Sequence, residues 1–156
     1  MTTNQTTPPT SPASAPDSAP NAGPQIQHPI IFFDGVCQMC NRFVNRMLQA
    51  DSKEIFHFAP LQGTTAQRLL PPLSDDPSEW AMLYLDEQGV HDQSDATLEV
   101  YRRLGGRWSV LSLARFIPRG IRNPIYRLIA RNRYRLFGRR DTCRLPTEQE
   151  KARFLA

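Results

Sequence analysis

IIFFDGVCQMC (residues 30–40) runs four large apolar residues into Asp34-Gly35 and then into two cysteines three positions apart. Ile30–Phe33 reads as a strand buried on both faces: short, uninterrupted, and rich in β-branched and aromatic residues. After it, Cys40, Phe43, Val44, Met47 and Leu48 recur at helical spacing, while Asn41, Arg42, Asn45, Arg46 and Gln49 lie elsewhere on the wheel. A helix is therefore expected from near Cys37 to near Asp51, with both cysteines at a strand-to-helix turn. Gly35 is expected to let the backbone turn sharply there.

Downstream, Ile55–Ala59 reads as a second strand, broken by Pro60 and Gly63, and Thr64–Leu70 as a short helix before Pro71-Pro72. Trp80–Leu85 and Val90–Gln93 read as a hairpin around the turn at Asp86–Gly89. Ser94 or Asp95 is expected to cap a helix whose apolar stripe is Val100, Tyr101 and Leu104, stopped by Gly105-Gly106. Val110–Ile117 is expected to be helical. A last helix should start at Asn123-Pro124, burying Ile125, Leu128, Ile129 and Leu136 and wetting Arg127, Arg131 and Arg135. Strands joined through a helix should be parallel. The order predicts an α/β domain with a thioredoxin-like mixed four-stranded sheet, flanked by helices and followed by a helical C-terminal extension.

The chain has 156 residues, 40% of them hydrophobic, enough for one domain of ordinary size. Residues 1–28 are Pro, Ser, Thr, Ala, Asn and Gln in the main, with Asp17 the sole charge, a composition expected to stay disordered. The folded domain is expected over 29–156. No basic start leads into an apolar run, and nothing approaches the ~20 apolar residues of a bilayer span. The expected compartment is the cytoplasm, where a close cysteine pair points to redox or metal chemistry rather than to a structural staple. Residues 101–140 carry 12 arginines and no Asp or Glu. That run is either a solvated face or a docking surface for an acidic partner or an anionic lipid surface. Nucleic acid is not expected, since no DNA-binding motif accompanies it.

A thiolate at a helix N-terminus is stabilised by free N–H groups and the helix dipole. Cys37 is thus expected to be an exposed nucleophile, and Cys40 a sheltered resolving thiol, able to attack a mixed disulfide formed at Cys37. Asp34 could accept or relay the Cys40 proton, or could be an ordinary turn aspartate. Arg42 could add positive potential. Structural zinc needs four ligands, and this chain offers one cysteine pair, Cys143, and the scattered His28, His57 and His91, so no metal is expected. A haloacid-dehalogenase-like aspartate would want a second aspartate two residues on, where Val36 stands.

Asp34, Cys37 and Cys40 form D-x-x-C-x-x-C, and the sequence resembles the DCC family of thiol-disulfide oxidoreductases that carries this signature. SDATLEVYRRLGGRW (94–108) resembles its central segment, and YRLIARNRYRLFGRRDTCRLP (126–146) its C-terminal one, Cys143 included. The resemblance spans roughly residues 29–155. It implies a thioredoxin-like fold and dithiol–disulfide exchange of the protein-disulfide reductase type, with no tightly bound cofactor. Electrons would come from thioredoxin, glutathione or a similar donor. Partners would be protein or small-molecule thiols and disulfides. Cys143 could be a third redox thiol or a small packed residue, and Ser94 and Asp95 could border the site. The rival reading is a non-catalytic binding module that docks an acidic partner through its arginine-rich helices, its dithiol a redox sensor or metal site.

Overall fold

The structure is a computed structural model, and it describes residues 27–156. Apart from its last two residues, the expected disordered tail lies outside the described residues. A four-stranded sheet runs in the order β2-β1-β3-β4, from β1 (Ile30–Phe33), β2 (His57–Pro60), β3 (Leu83–Asp86) and β4 (Gly89–Asp92). β1 pairs in parallel with β2 and antiparallel with β3, which forms the hairpin with β4. The helices are α1 (Gln38–Ala50), α2 (Thr64–Leu69), α3 (Gln93–Leu104) and α4 (Arg119–Phe137), with a 3₁₀ stretch over Gly106–Phe116 between the last two. This is the mixed α/β architecture expected, consistent with a thioredoxin-like fold and closed by a C-terminal helix.

β1 explains the uninterrupted apolar run. Ile31 and Phe33 join one core with Val44 and Met47 of α1 and Ala96 and Val100 of α3. Ile30 and Phe32 join another with Ala66 and Leu70 at α2. A strand buried on both faces has no polar position to alternate with.

Several boundaries shift, each for a visible reason. β2 starts at His57 because the Asp51 carboxylate draws the Ile55 and Phe56 N–H groups, each at 3.0 Å, out of the ladder. β3 starts at Leu83 because the backbone before it is bound elsewhere. Arg133 donates to the Trp80 carbonyl at 2.6 Å, and the Met82 N–H donates to the Tyr126 hydroxyl at 3.1 Å. α3 is entered from Asp92, so Ser94 and Asp95 lie within its first turn and do not cap it. The helical segment expected over Val110–Ile117 is a 3₁₀ stretch that begins at Gly106 and ends at Phe116.

The largest correction concerns α4. It begins four residues before Asn123, with Pro118 at its cap, so Pro124 lies inside the helix. Asn123 is not a cap; its side-chain oxygen accepts the Ser94 hydroxyl. The expected buried stripe is turned outward: Ile125, Leu128, Ile129 and Leu136 are all exposed. The inner face carries Ala130 and Arg133, both buried, flanked by the half-buried Tyr126 and Tyr134. An arginine displaces the aliphatic residues because its partner, Asp34, is itself buried at the end of β1. A buried carboxylate needs a paired cation more than the core needs another leucine.

The chain end closes the far edge of the sheet. The Leu155 N–H donates to the Phe58 carbonyl at 2.8 Å, and Arg153 is buried against Asp51.

Candidate active site

Cys37 is the residue from which α1 starts, and Cys40 lies one turn in. The turn before them is tied down from several sides. The Cys37 N–H donates to the Asp34 carbonyl at 3.2 Å and the Val36 N–H to the Asp34 carboxylate at 3.1 Å. Asn41, just after the second cysteine, donates its amide to the carbonyls of Gly35 at 2.9 Å and Cys37 at 2.7 Å.

The two thiols are unequal. Cys37 is lowered from 9.0 to about 6, first by the hydrogen bond from the Cys40 thiol, against the opposing effect of burial. The Cys40 N–H and the charge of Arg133 lower it further. Cys40 is pushed far up, by that same hydrogen bond to Cys37, then by burial and by the neighbouring thiolate charge. The two shifts assign the proton of the pair to Cys40 and the thiolate to Cys37. The positive charge comes from Arg133 on α4; Arg42 is exposed.

The expected exposure of Cys37 is overturned. Cys37 is 0% exposed, whereas Cys40 is half-buried against the core beside α1. The cause is the segment after α4, which folds back over the cysteine turn as a strap. Cys37 bridges Arg139 in antiparallel fashion. The Gln38 N–H donates to the Gly138 carbonyl at 3.3 Å, Arg140 to Val36 at 2.8 Å, and Arg144 to Gly35 at 3.1 Å. The strap brings Cys143 onto Gly35, where a Cβ would stand 2.5 Å from its sulfur. The chain turns at Gly35 as expected, but without a left-handed φ; what demands glycine here is the close approach. Burial, then the charge of Asp34, raises the Cys143 thiol. All three cysteines are free thiols.

Asp34 is enclosed. One carboxylate oxygen accepts the Val36 N–H and the Gln62 amide, the latter at 2.7 Å. The other accepts Arg133 at 3.0 Å and the Tyr134 hydroxyl. Burial and the bond to Asp34 push Tyr134 up to about 12, so it stays a neutral donor. The same Arg133 also donates to the Pro77 carbonyl at 2.7 Å. Four donors occupy the roughly four lone-pair sites of a carboxylate. This geometry makes Asp34 the anchor of Arg133 and leaves it no open lone pair for the Cys40 proton.

Ser94 and Asp95 are not brought to the dithiol; their partners are on α4. Arg122 donates to the Ser94 hydroxyl at 2.8 Å, and Asp95 pairs with Arg119 at 2.7 Å and Arg122 at 2.6 Å. Among the described residues, no three His, Cys, Asp or Glu side chains gather where they could hold a metal ion. A cleft of about 380 Å³ between α4 and the approach to β3, lined in part by Trp80, Ala81, Tyr126 and Ala130, includes neither cysteine. Gln62, Asn41, Arg133 and Tyr134 were not singled out from sequence. Arg133 and Tyr134 fall in the C-terminal segment of the resemblance, but no local pattern ties them to an aspartate 99 and 100 residues upstream.

Comparisons with known proteins bear on the family of the chain. The family model described as DCC1-like thiol-disulfide oxidoreductase matches residues 31–139. The chain is 35% identical over 133 residues to the uncharacterized protein YuxK of Bacillus subtilis, covering 84% of this chain and 96% of that protein. It is 31% identical over 121 residues to the DCC family protein At1g52590, chloroplastic, of Arabidopsis thaliana, covering 76% of this chain and 70% of that protein. No solved structure matches the chain significantly. The chain belongs to the DCC1-like thiol-disulfide oxidoreductase family.

Proposed function

We propose that this protein is a thiol-disulfide oxidoreductase of the protein-disulfide reductase type, acting through Cys37 and Cys40. The observation that carries the reading is the placing of two free thiols at the head of α1, Cys37 at its cap and Cys40 one turn in; the lowering of the first to about 6 and the raising of the second support it. The Cys37 thiolate attacks a substrate disulfide, forming a mixed disulfide and releasing one substrate thiolate. That attack removes the negative sulfur that held the proton on Cys40. With its largest cause of elevation gone, Cys40 gives its proton to the released thiolate and attacks the Cys37 sulfur. The second substrate sulfur leaves as a thiolate, which takes a proton from solvent as its own acidity dictates, and a Cys37–Cys40 disulfide remains. The substrate has gained two electrons and the dithiol has lost two. A thiol donor such as thioredoxin or glutathione restores the pair, and no tightly bound cofactor is required.

Asp34 acts in this scheme by fixing Arg133, whose charge favours both thiolates; it is a positioning residue. Cys143 lies on the strap against Gly35, close enough to the turn to affect strap opening. Because the strap covers Cys37, exchange needs the segment from Gly138 to Arg144 to lift.

The test is a redox titration of the metal-free protein in glutathione buffers, with alkylation and mass spectrometry to locate the disulfide. Cys37→Ser and Cys143→Ser are run alongside. A reversible Cys37–Cys40 disulfide that survives Cys143→Ser is expected. A pair that never oxidises, or that is protected by added zinc alone, refutes the reading. Activity lost with Arg127→Ala plus Arg131→Ala but kept with Cys37→Ser would favour a binding module instead.

A further inference from the structure

Thirteen large apolar residues are exposed among the described residues, and eleven of them lie between Val110 and Phe137. On α4, Ile121, Ile125 and Leu128 follow helical spacing on the side away from Ala130 and Arg133, with Ile129 at the edge of that strip. The 3₁₀ stretch adds Val110, Leu113 and Phe116, the last 80% exposed at the elbow before α4. A helix of 19 residues is about 28 Å long, so this is an extended apolar strip.

Arginines border it. Arg127, Arg131 and Arg135 run up one flank at spacings of four, all exposed. Among the described residues, Arg107, Arg115, Arg127, Arg131, Arg135, Arg139 and Arg140 have no carboxylate within 4.0 Å. An apolar strip edged by unpaired cations is the pattern of a helix that lies in a membrane interface, its aliphatic side sunk and its cations on anionic headgroups.

Other occupants fit less well. Residues 1–26 offer two large apolar side chains, Met1 and Ile26, and one carboxylate, Asp17. A second copy on the same face would bring two sets of unpaired arginines together. An acidic protein segment would answer the arginines but not the aliphatic strip. We propose that the outer face of α4 and the 3₁₀ stretch before it dock this protein on the surface of an anionic phospholipid bilayer. The inference is independent of the dithiol chemistry, since α4 meets Asp34 through its opposite face. If both hold, the dithiol works at a membrane surface.

The full chain is tested by flotation with vesicles of phosphatidylcholine alone and of phosphatidylcholine mixed with phosphatidylglycerol. Binding to the mixed vesicles is expected, falling as salt rises. Each arginine at such a surface is worth about five-fold in affinity, so Arg127→Ala plus Arg131→Ala should weaken binding about thirty-fold. Phe116→Ser plus Ile121→Ser should weaken it at least about ten-fold. All four positions are exposed, so melting temperature should not move. Failure to bind mixed vesicles, or equal binding to both kinds, overturns the proposal. So does a concentration-dependent dimer abolished by Phe116→Ser. Binding to a polyglutamate peptide that displaces vesicles and persists without Phe116 also overturns it, in favour of an acidic protein.

Discussion

Cys40→Ala should return Cys37 to ordinary acidity. The lowered value near 6 rests first on the hydrogen bond from the Cys40 thiol. Removing that thiol leaves burial, which opposes the charge, against a backbone N–H and the more distant Arg133. The midpoint should climb about three units, to the region of 9, a loss of about 4 kcal/mol in stabilisation of the thiolate. At pH 7 the thiolate fraction would fall from about 0.9 to about 0.01. The assay is the rate of iodoacetamide alkylation against pH, followed by mass spectrometry on a Cys143→Ala background. The midpoint of the profile is the decisive quantity. A single rate at pH 7 misleads, because a more basic thiolate is also a better nucleophile and recovers part of the loss. The strap slows alkylation at every pH alike and does not shift the midpoint. A midpoint below 7 in Cys40→Ala would refute the reasoning. The helix terminus and Arg133 would then be the source of the acidity, and the shared proton would be incidental.

The dithiol's midpoint potential should fall by about 59 mV per pH unit below pH 6 and by about 30 mV above it, because reduction takes up two protons in the first range and one in the second. The lowered Cys37 thus stabilises the reduced form above pH 6, and this advantage is lost as pH falls through 6. Arg133→Met leaves the Asp34 carboxylate buried without its cation; a loss of about 3 kcal/mol or more, or about 10 °C in melting temperature, is expected. Adding Asp34→Asn to that variant should recover part of the loss, and calorimetry would detect a failure to do so. Gly35→Ala forces a Cβ against the Cys143 sulfur and should cost about 1–3 kcal/mol by denaturant titration; on a Cys143→Ala background the cost should at least halve. Gly138 has φ 88° and ψ 163°, a region nearly confined to glycine, so Gly138→Ala should loosen the strap and speed alkylation of Cys37 without moving its pH midpoint.

The local half of this protein was legible in the sequence. Strand β1, helix α1 and the place of both cysteines follow from periodicity and turn chemistry within twenty residues. Helix spacing puts Cys37 at the head of α1 and Cys40 one turn in, but it does not tell that Cys37 is the covered one. What was not legible lies at long sequence separation. Nothing near Asp34 says that its carboxylate is filled by Gln62, Arg133 and Tyr134, so a proton relay was a natural expectation from spacing alone. Nothing near Cys37 says that residues 138–144 will cross over it. The same blindness produced the error in α4. A stripe of Ile125, Leu128, Ile129 and Leu136 looks like a core face, because periodicity reports that a helix has an apolar side without reporting what that side meets.

That error and the buried aspartate have one cause. Asp34 closes a strand buried on both faces, so its charge had to be met from above the sheet. Arg133 meets it, and together with the ties of Arg122 and Asn123 to α3 and of Tyr126 to Met82 this sets the rotation of α4 about its own axis. Once Arg133 points inward, a helix turning about 100° per residue carries Leu128, Ile125 and Ile121 outward. The sequence then flanks them with Arg127, Arg131 and Arg135 rather than with the mixed charges of an ordinary solvated face. The aspartate of the D-x-x-C-x-x-C motif therefore does two things through one ion pair: it sets a positive charge near the dithiol, and it sets which side of α4 the rest of the world sees. Asp34→Asn should accordingly disturb both at once, shifting the Cys37 midpoint and weakening vesicle binding. Arg127→Ala plus Arg131→Ala should disturb vesicle binding alone. If the Asp34 variant shifts the thiol but leaves the outer face intact, packing against β3 holds the rotation of α4, and the ion pair serves the dithiol only.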